Sequence, residues 1–308
     1  MKVHESVLLK ETIDNLVMNK AGIYIDGTIG FAGHASAIIS KLNNKGRLIG
    51  IDLDPYALKC SKDNLSKFPK KSYSLYKGNF GEFPRIIKNL GISKVDGLVV
   101  DLGISSYQID SKHRGFSYRY NSDLDMRFDS ENGVSAKDFL NNTDESSLAD
   151  VIKNFGEEKQ YKKISFNIVK YSKKSNMNTT YDLKNAIVEV SSKKFINKTL
   201  SRVFQAIRMK VNDEIENLNN FLNSSLKHVK SGGRIAVITF HSIEDKIVKK
   251  FFKKHSIKCL CPSSFPICTC NHKAKLKIIT RKGIFASDLE IKKNSRSRSA
   301  RLRIAECL

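Results

Sequence analysis

Two acids, Asp26 and Asp52, bracket the stretch of this chain best equipped for chemistry. Asp26 is followed by Gly27, Gly30 and Gly33 at three-residue intervals. Glycines so placed let the backbone bend sharply and approach a ligand without Cβ atoms in the way. Asp52 closes a second apolar run, Arg47 to Ile51, a position from which a carboxylate hydrogen-bonds ribose hydroxyls. Dinucleotide sites favour Gly-x-Gly-x-x-Gly with a helix N-terminus set against a pyrophosphate. Here the spacing is Gly27-x-x-Gly30-x-x-Gly33, and Asp26 would repel a pyrophosphate. A ligand bearing a sulfonium, an ammonium and a ribose suits both acids. S-adenosylmethionine carries all three and is favoured over NAD.

The elements that position these residues follow from periodicity. Ile23 to Ile25 reads as a buried strand, and Ala35 to Leu42 has helical spacing. A short helix is expected within 4–18. Strands are expected at 47–51, 73–76 and 95–102, separated by helices at 55–68 and 83–90. Asp26, Asp52, Phe80 and Asp101 all fall at strand ends, where parallel α/β sheets bind their ligands. The alternation then stops. Helices are expected at about 135–140, 146–173, 181–194 and 200–227, with no strong strand between Ser105 and Ser231. Sheet character returns at Arg234 to Phe240 after a turn at Ser231-Gly232-Gly233, and a helix follows from Ile243 to Phe252 with Ser242 as its opening residue. Strands near 276–281 and 301–305 complete a seven-stranded, mostly parallel sheet. The expected organisation is a discontinuous α/β domain, 1–106 and 228–308, interrupted by an all-helical insertion, 107–227.

Composition narrows the partners. Lys and Arg number 54 against 31 Asp and Glu, a net charge of +23, which favours a polyanion because basic side chains release condensed counterions from phosphates. Lys153, Lys159, Lys162, Lys163, Lys170, Lys173 and Lys174 of the insertion suit a polyanion-facing surface, the alternative being a solvated helix face. No apolar run approaches the roughly 20 residues of a membrane span. The first residues lack a signal-peptide pattern, so the expected location is the cytoplasm, with no membrane partner. Four of the six cysteines lie in Cys259-Leu-Cys261-Pro-Ser-Ser-Phe-Pro-Ile-Cys268-Thr-Cys270. Two Cys-x-Cys pairs could hold a tetrahedral structural zinc, the alternative being thiols in a proline-rich loop. A catalytic metal is not expected, since four thiolates leave no open position.

Nine segments together resemble one family, in order and across nearly the whole chain. They are Asp26-Gly-Thr-x-Gly-x-x-Gly-His34, Asp96-Gly-Leu-Val-Val-Asp-Leu-Gly-Ile-Ser-Ser106, Arg114-Gly-Phe-Ser117, Leu124-Asp-Met-Arg127, Gly156-Glu-Glu158, Phe204-Gln-Ala-Ile-Arg208, Gly232-Gly-Arg234, Phe240-His-Ser-Ile-Glu-Asp245 and Arg298-Ser-Ala300. The chain thereby resembles the MraW-type ribosomal RNA small-subunit methyltransferase H family. The resemblance implies a class I S-adenosylmethionine-dependent methyltransferase fold with a helical insertion. It also implies methyl transfer from S-adenosylmethionine to N4 of a cytidine in the 16S rRNA decoding region. Carried over residue by residue, the donor site is Ala32, Gly33, His34, Asp52, Phe80, Asp101 and Gln108. Asp101, Ser105 and Ser106 are the candidate acceptors for the reacting amine, and Asp54 is the substitute should Asp52 not be the ribose acid. Ala32 stands where the family usually has glycine, and Tyr107, Lys198-Thr199 and Ser295 replace residues of its usual pattern.

Three other readings compete. A DNA amino-methyltransferase typically carries Asp/Asn/Ser-Pro-Pro-Tyr/Phe after the fourth strand, where this chain has Asp101-Leu-Gly-Ile. An NAD-dependent oxidoreductase is disfavoured by the glycine spacing and Asp26. An inactive RNA-binding protein with the same fold is separated from the enzyme only by assay. His241 is expected to be a hydrogen-bonded structural histidine.

Overall fold

A computed structural model describes residues 6–259, 261, 270 and 272–308, with the side chain of Ser106 outside the description. The chain divides into two compact units, one of residues 1–103 and 216–308 and the other of residues 104–215.

The first unit is built on strands β1 (Ile23–Asp26), β2 (Arg47–Asp52), β3 (Tyr73–Lys77), β4 (Val95–Asp101), β5 (Val229–Thr239), β6 (Leu276–Ile278), β7 (Ile284–Phe285) and β8 (Arg301–Cys307). Seven of them run in the order β3-β2-β1-β4-β5-β8-β6, and the two-residue β7 pairs with β8 off that path. The neighbours from β3 to β5 pair in parallel, whereas β8 is antiparallel to both β5 and β6. This is a mostly parallel α/β sheet, as the resemblance implies, with one short strand more than periodicity predicts. Strand order reverses between β1 and β4, which is where such sheets open a crevice for ligands.

Alternate residues of the central strands feed two cores. Ile25, Ile49, Ile51, Leu98 and Val100 pack with Phe83, Phe221, Val248 and Phe252 on one face. Tyr24, Leu48 and Val99 pack with Leu16, Ile38 and Leu65 on the other. Leu218, Phe221 and Leu222, assigned by sequence to the insertion, are core residues of the sheet. The unit boundary therefore falls at 215/216 rather than at 227.

Several element boundaries move for identifiable reasons. The first helix is only Leu9–Leu16, preceded by Leu8 in the left-handed region at φ 51°. The expected helix 146–173 is two, Glu145–Gly156 and Tyr161–Ser175. A Cβ on Gly156 would lie 2.9 Å from the Arg202 carbonyl oxygen, so this position tolerates only glycine, and Glu157 then turns the chain at φ 49°. Helix 200–227 is likewise two, Ile196–Val211 and Glu214–His228, separated by Asp213 at φ 47°. Asn212 fills that break by donating to the Met126 carbonyl at 2.8 Å and accepting the Phe128 amide at 2.7 Å. Strand β5 begins earlier than expected, because Val229 already pairs with Val95. The ladder resumes only at Gly97–Arg234, so the expected turn at Gly232, φ 79°, is an outward excursion within the strand.

The second unit has its own core, in which Leu148, Ile152, Ile164, Ile168, Leu183, Val203 and Ile207 are fully buried. Arg208, from the Phe204-Gln-Ala-Ile-Arg208 segment, donates to both carboxylate oxygens of Glu214, at 2.7 and 2.9 Å. Each side chain of that pair is about one-tenth exposed, so this motif residue holds the end of its helix.

Candidate active site

Asp26, Asp52 and Asp101 end the adjacent strands β1, β2 and β4. In register Asp26 stands beside Gly50 and Val99. Asp52 and Asp101 lie two residues further along, and residues two apart share a face of the sheet. All three carboxyls therefore project on one side at the strand ends.

The glycine turn is laced to both neighbouring strands. Gly27 donates to the Val99 carbonyl at 2.8 Å and Ile29 to the Ile51 carbonyl at 2.9 Å. A Cβ on Gly27 would come within 2.8 Å of Phe80 Cβ and of Val100 Cγ1, so glycine is what lets Phe80 lie against the turn. Phe80 also meets Phe221 edge-on, with ring centroids 5.8 Å apart. Gly30 takes φ 52° and donates its amide to Asp52 Oδ2 at 2.8 Å. Ala32 is fully buried in the left-handed region at φ 63°, capping the helix Gly33–Lys41. That region costs an L-residue about 1 kcal/mol, which accounts for the glycine usual here in the resembled family.

The carboxyls differ in how they are held. Asp52 accepts the amides of Gly30 and Asp54, one on each oxygen, at 2.8 and 2.9 Å. Burial nevertheless pushes its carboxyl up to about 6. Asp54 accepts the Tyr56 amide at 3.0 Å and caps the helix Pro55–Leu65, a role in the scaffold rather than in the site. Asp26, 2% exposed, accepts the Thr28 amide at 3.2 Å on one oxygen. Burial, with the charge of Asp52 beside it, pushes Asp26 up to about 7. The Asp101 carboxyl is raised well above the ordinary range by burial and by the charges of Asp26, Glu244 and Glu290. Its Oδ2 is 4.0 Å from Nδ1 of the buried His34, whose Nε2 lies 3.0 Å from the Val7 carbonyl oxygen. Asp26 Oδ2 and Asp101 Oδ1 are buried with no hydrogen-bond partner among the described residues. Buried carboxylate oxygens in that state favour a cation that can supply the missing donors. The site thus fits a positively charged ligand.

Sequence reading missed three contributors. Thr28 Oγ1 accepts the Asp101 amide at 2.6 Å and ties the glycine turn to β4. Glu244 and Glu290 add to the negative charge at Asp101. The first two lie inside the segments already singled out, whereas Glu290, which accepts the Leu8 amide at 2.8 Å, had no local signal. His241, not Ser242, caps the helix Ser242–Ser256, and its Nε2 lies 3.1 Å from Glu244.

The remaining candidates belong to the other unit. Ser105 and Gln108 engage one another at the start of the short helix Ser106–Asp110. Ser105 Oγ accepts the Gln108 amide at 3.1 Å, and Gln108 Oε1 accepts the Ser105 amide at 3.0 Å. The two bonds form a reciprocal capping box. The Ser106 side chain and Cys268 lie outside the described residues.

Three relatives match essentially end to end. Ribosomal RNA small subunit methyltransferase H 2 of Agathobacter rectalis is 43% identical over 308 residues, covering 98% of each chain. Ribosomal RNA small subunit methyltransferase H of Clostridium botulinum is 44% identical over 303 residues, 98% of this chain and 97% of that one. The protein of the same name from Brevibacillus brevis is 43% identical over 308 residues, 99% of this chain and 98% of its own. The model of the MraW methylase family matches residues 1–308. With that match spanning the whole chain and the glycine turn and strand-end acids assembled in one unit, this chain belongs to the MraW methylase family.

Proposed function

We propose that this chain transfers a methyl group from S-adenosylmethionine to the exocyclic N4 amine of a cytidine in the decoding region of 16S rRNA of the small ribosomal subunit. The observation that carries the reading is the convergence of Asp26, Asp52 and Asp101 on a glycine turn, with two buried carboxylate oxygens awaiting donors. The names of the relatives support the RNA substrate. The reading places the protein in the cytoplasm, acting on RNA rather than on DNA or at a membrane; among the described residues no helix is long and apolar enough to cross a membrane.

When bound, the donor supplies an electrophilic methyl on a positively charged sulfur. Asp26 offers a buried oxygen that neutralises its cationic groups, and Asp101 lies close to them. Asp52 retains lone pairs, beyond those used by Gly30 and Asp54, for ribose hydroxyls. Phe80 covers the adenine, and the chain around Ala32, Gly33 and His34 holds the methionyl end. A cytosine N4 amine is a poor nucleophile because its lone pair is delocalised into the ring. Asp101 therefore acts by accepting an N4–H hydrogen bond and aligning the nitrogen with the methyl–sulfur axis. As nitrogen gains the methyl its proton becomes acidic, and a carboxyl held above its ordinary range accepts it readily. The target base is unstacked to reach the site. Mass spectrometry of small-subunit rRNA nucleosides, with and without the gene, tests the reading. Loss of N4-methylated cytidine on deletion and its return with the intact gene are expected; an unchanged level overturns it.

Donor binding is expected to strengthen as pH rises between about 5 and 7, by up to about tenfold per unit for each proton released. The sign follows from the carboxyl groups. Asp52 at about 6 and Asp26 at about 7 hold protons in the donor-free protein, and a bound cation expels them. By the same linkage these raised groups contribute stability to the donor-free protein below the ordinary carboxylate range, and lose it as pH rises through about 6 to 7. Calorimetry in buffers of different ionisation enthalpy measures the released protons. Affinity independent of pH would mean both acids are already ionised.

The helical unit presents a surface suited to the RNA. On the helix Tyr161–Ser175, Lys162, Lys163, Phe166, Lys170, Lys173 and Lys174 are exposed, while Ile164, Ile168 and Val169 face the core. A lysine stripe with an aromatic ring in it combines phosphate attraction with a stacking platform for bases. Replacing Lys159, Lys162 and Lys163 with Gln is expected to weaken RNA binding across sequences. It should also lower the slope of log affinity against log salt by about 0.7–0.9 per lost phosphate contact, leaving donor affinity unchanged. A salt titration that gives the wild-type slope returns these lysines to an ordinary solvated face.

A further inference from the structure

We propose that Cys259, Cys261 and Cys270 supply three corners of a structural zinc site that pins the segment between the helix Ser242–Ser256 and strand β6. The sulfur atoms of these three residues all lie within 4.8 Å of one another. Cys259 Sγ and Cys270 Sγ are 3.8 Å apart. Four sulfurs about 2.3 Å from a tetrahedral zinc stand about 3.8 Å from each other, so this pair already has the spacing of one edge of a zinc–thiolate tetrahedron. It is far longer than the ~2.05 Å of a disulfide. The Cys261 amide donates to Cys259 Sγ at 3.3 Å, the kind of contact that stabilises a sulfur carrying thiolate charge.

The frame explains why a metal is useful here. Lys275 donates to the His255 carbonyl at 2.8 Å, and Leu308 donates to the Lys275 carbonyl at 3.0 Å, so described residues on either side of the cysteines are tied together. Between those ends the sequence Lys258-Cys-Leu-Cys-Pro-Ser-Ser-Phe-Pro-Ile-Cys-Thr-Cys-Asn-His-Lys273 has only three large apolar residues against four cysteines. A metal staple substitutes for an apolar core. The other described cysteines differ: Cys307 is buried, its thiol pushed up to about 11 by burial, and Cys60 lies in a helix remote in sequence. On binding, the three thiols release their protons and the zinc changes no oxidation state, so no redox partner is required.

The test uses the full chain, purified without chelators and without a metal-binding tag. Elemental analysis is expected to find about one zinc per chain, released in step with titration of the thiols by a mercurial reagent. Cobalt exchanged into the same site should give sulfur-to-cobalt charge-transfer bands and the strong visible bands of a tetrahedral ion. Cys259→Ser, Cys261→Ser and Cys270→Ser should each lose most of the zinc, whereas Cys60→Ser should keep it. Wild-type protein that is reduced, supplied with zinc, desalted and then found empty overturns the proposal without any variant having to fold. So does a Cys259–Cys270 disulfide in protein whose thiols were alkylated at lysis, or zinc retained by all three variants.

Discussion

Asp101→Asn is expected to lower the rate of methyl transfer by about 10²–10³-fold, the scale on which removal of a preorganised hydrogen-bond partner slows a reaction. The substitution keeps the shape of the side chain and the bond from the Asp101 amide to Thr28 Oγ1, so the glycine turn stays tied to β4. What it removes is a carboxylate oxygen that has no partner among the described residues and is therefore available to the reacting amine. The same change relieves the crowding of Asp101 by Asp26, Glu244 and Glu290. The donor-free variant should thus be more stable than wild type, and increasingly so as pH rises, because the raised carboxyl costs most where it must ionise. Single-turnover assays on small-subunit RNA give the first quantity and thermal unfolding at several pH values the second. A variant with wild-type turnover would remove the acceptor role from Asp101. A variant less stable than wild type would mean the charge at Asp101 is balanced by a group unaccounted for. Activity and stability moving in opposite directions is the signature of a site that trades stability for function.

Asp245→Ala should destabilise the fold by about 3–5 kcal/mol, the cost of removing one partner from a buried ion group. Asp245 accepts from Arg303 through both carboxylate oxygens and from Arg301 through one. Arg303 is 5% exposed, and without Asp245 its guanidinium would remain buried and uncompensated. Burial works against the Asp245 charge, but Arg303 and Arg301 outweigh it and hold the carboxyl below the ordinary range. The contribution is fully present above about pH 4 and is lost as pH falls through the depressed value. Denaturant midpoints at neutral pH measure the loss. A change under about 1 kcal/mol would mean that the arginines rehydrate and that the pair is worth no more than a surface bridge. The effect on chemistry should be indirect, since β8 pairs with β5 and the two arginines clamp the helix Ser242–Ser256 to that pair.

Local patterning carried the architecture of the sheet unit. Short β-branched runs ending in Asp26, Asp52 and Asp101 can hardly be anything but buried parallel strands, because period and burial are encoded within each run. Gly27, Gly30 and Gly33 announced the turn for the same reason: backbone permissiveness is a property of the residue itself. The acids' identity and their place at strand ends were therefore legible, and so was the existence of a helical insertion. What periodicity could not supply was anything set by partners distant in sequence. Position 156 must be glycine because the Arg202 carbonyl packs against it, and Leu218, Phe221 and Leu222 join the sheet core because of what lies across from them. Asp54 and Asp52 look interchangeable as a sequence pair. Only the fold assigns one to a helix cap and the other to the glycine turn. The raised carboxyl of Asp101 likewise depends on Glu244 and Glu290, nearly 150 and 190 residues away along the chain, because charge acts through space and burial is a collective property.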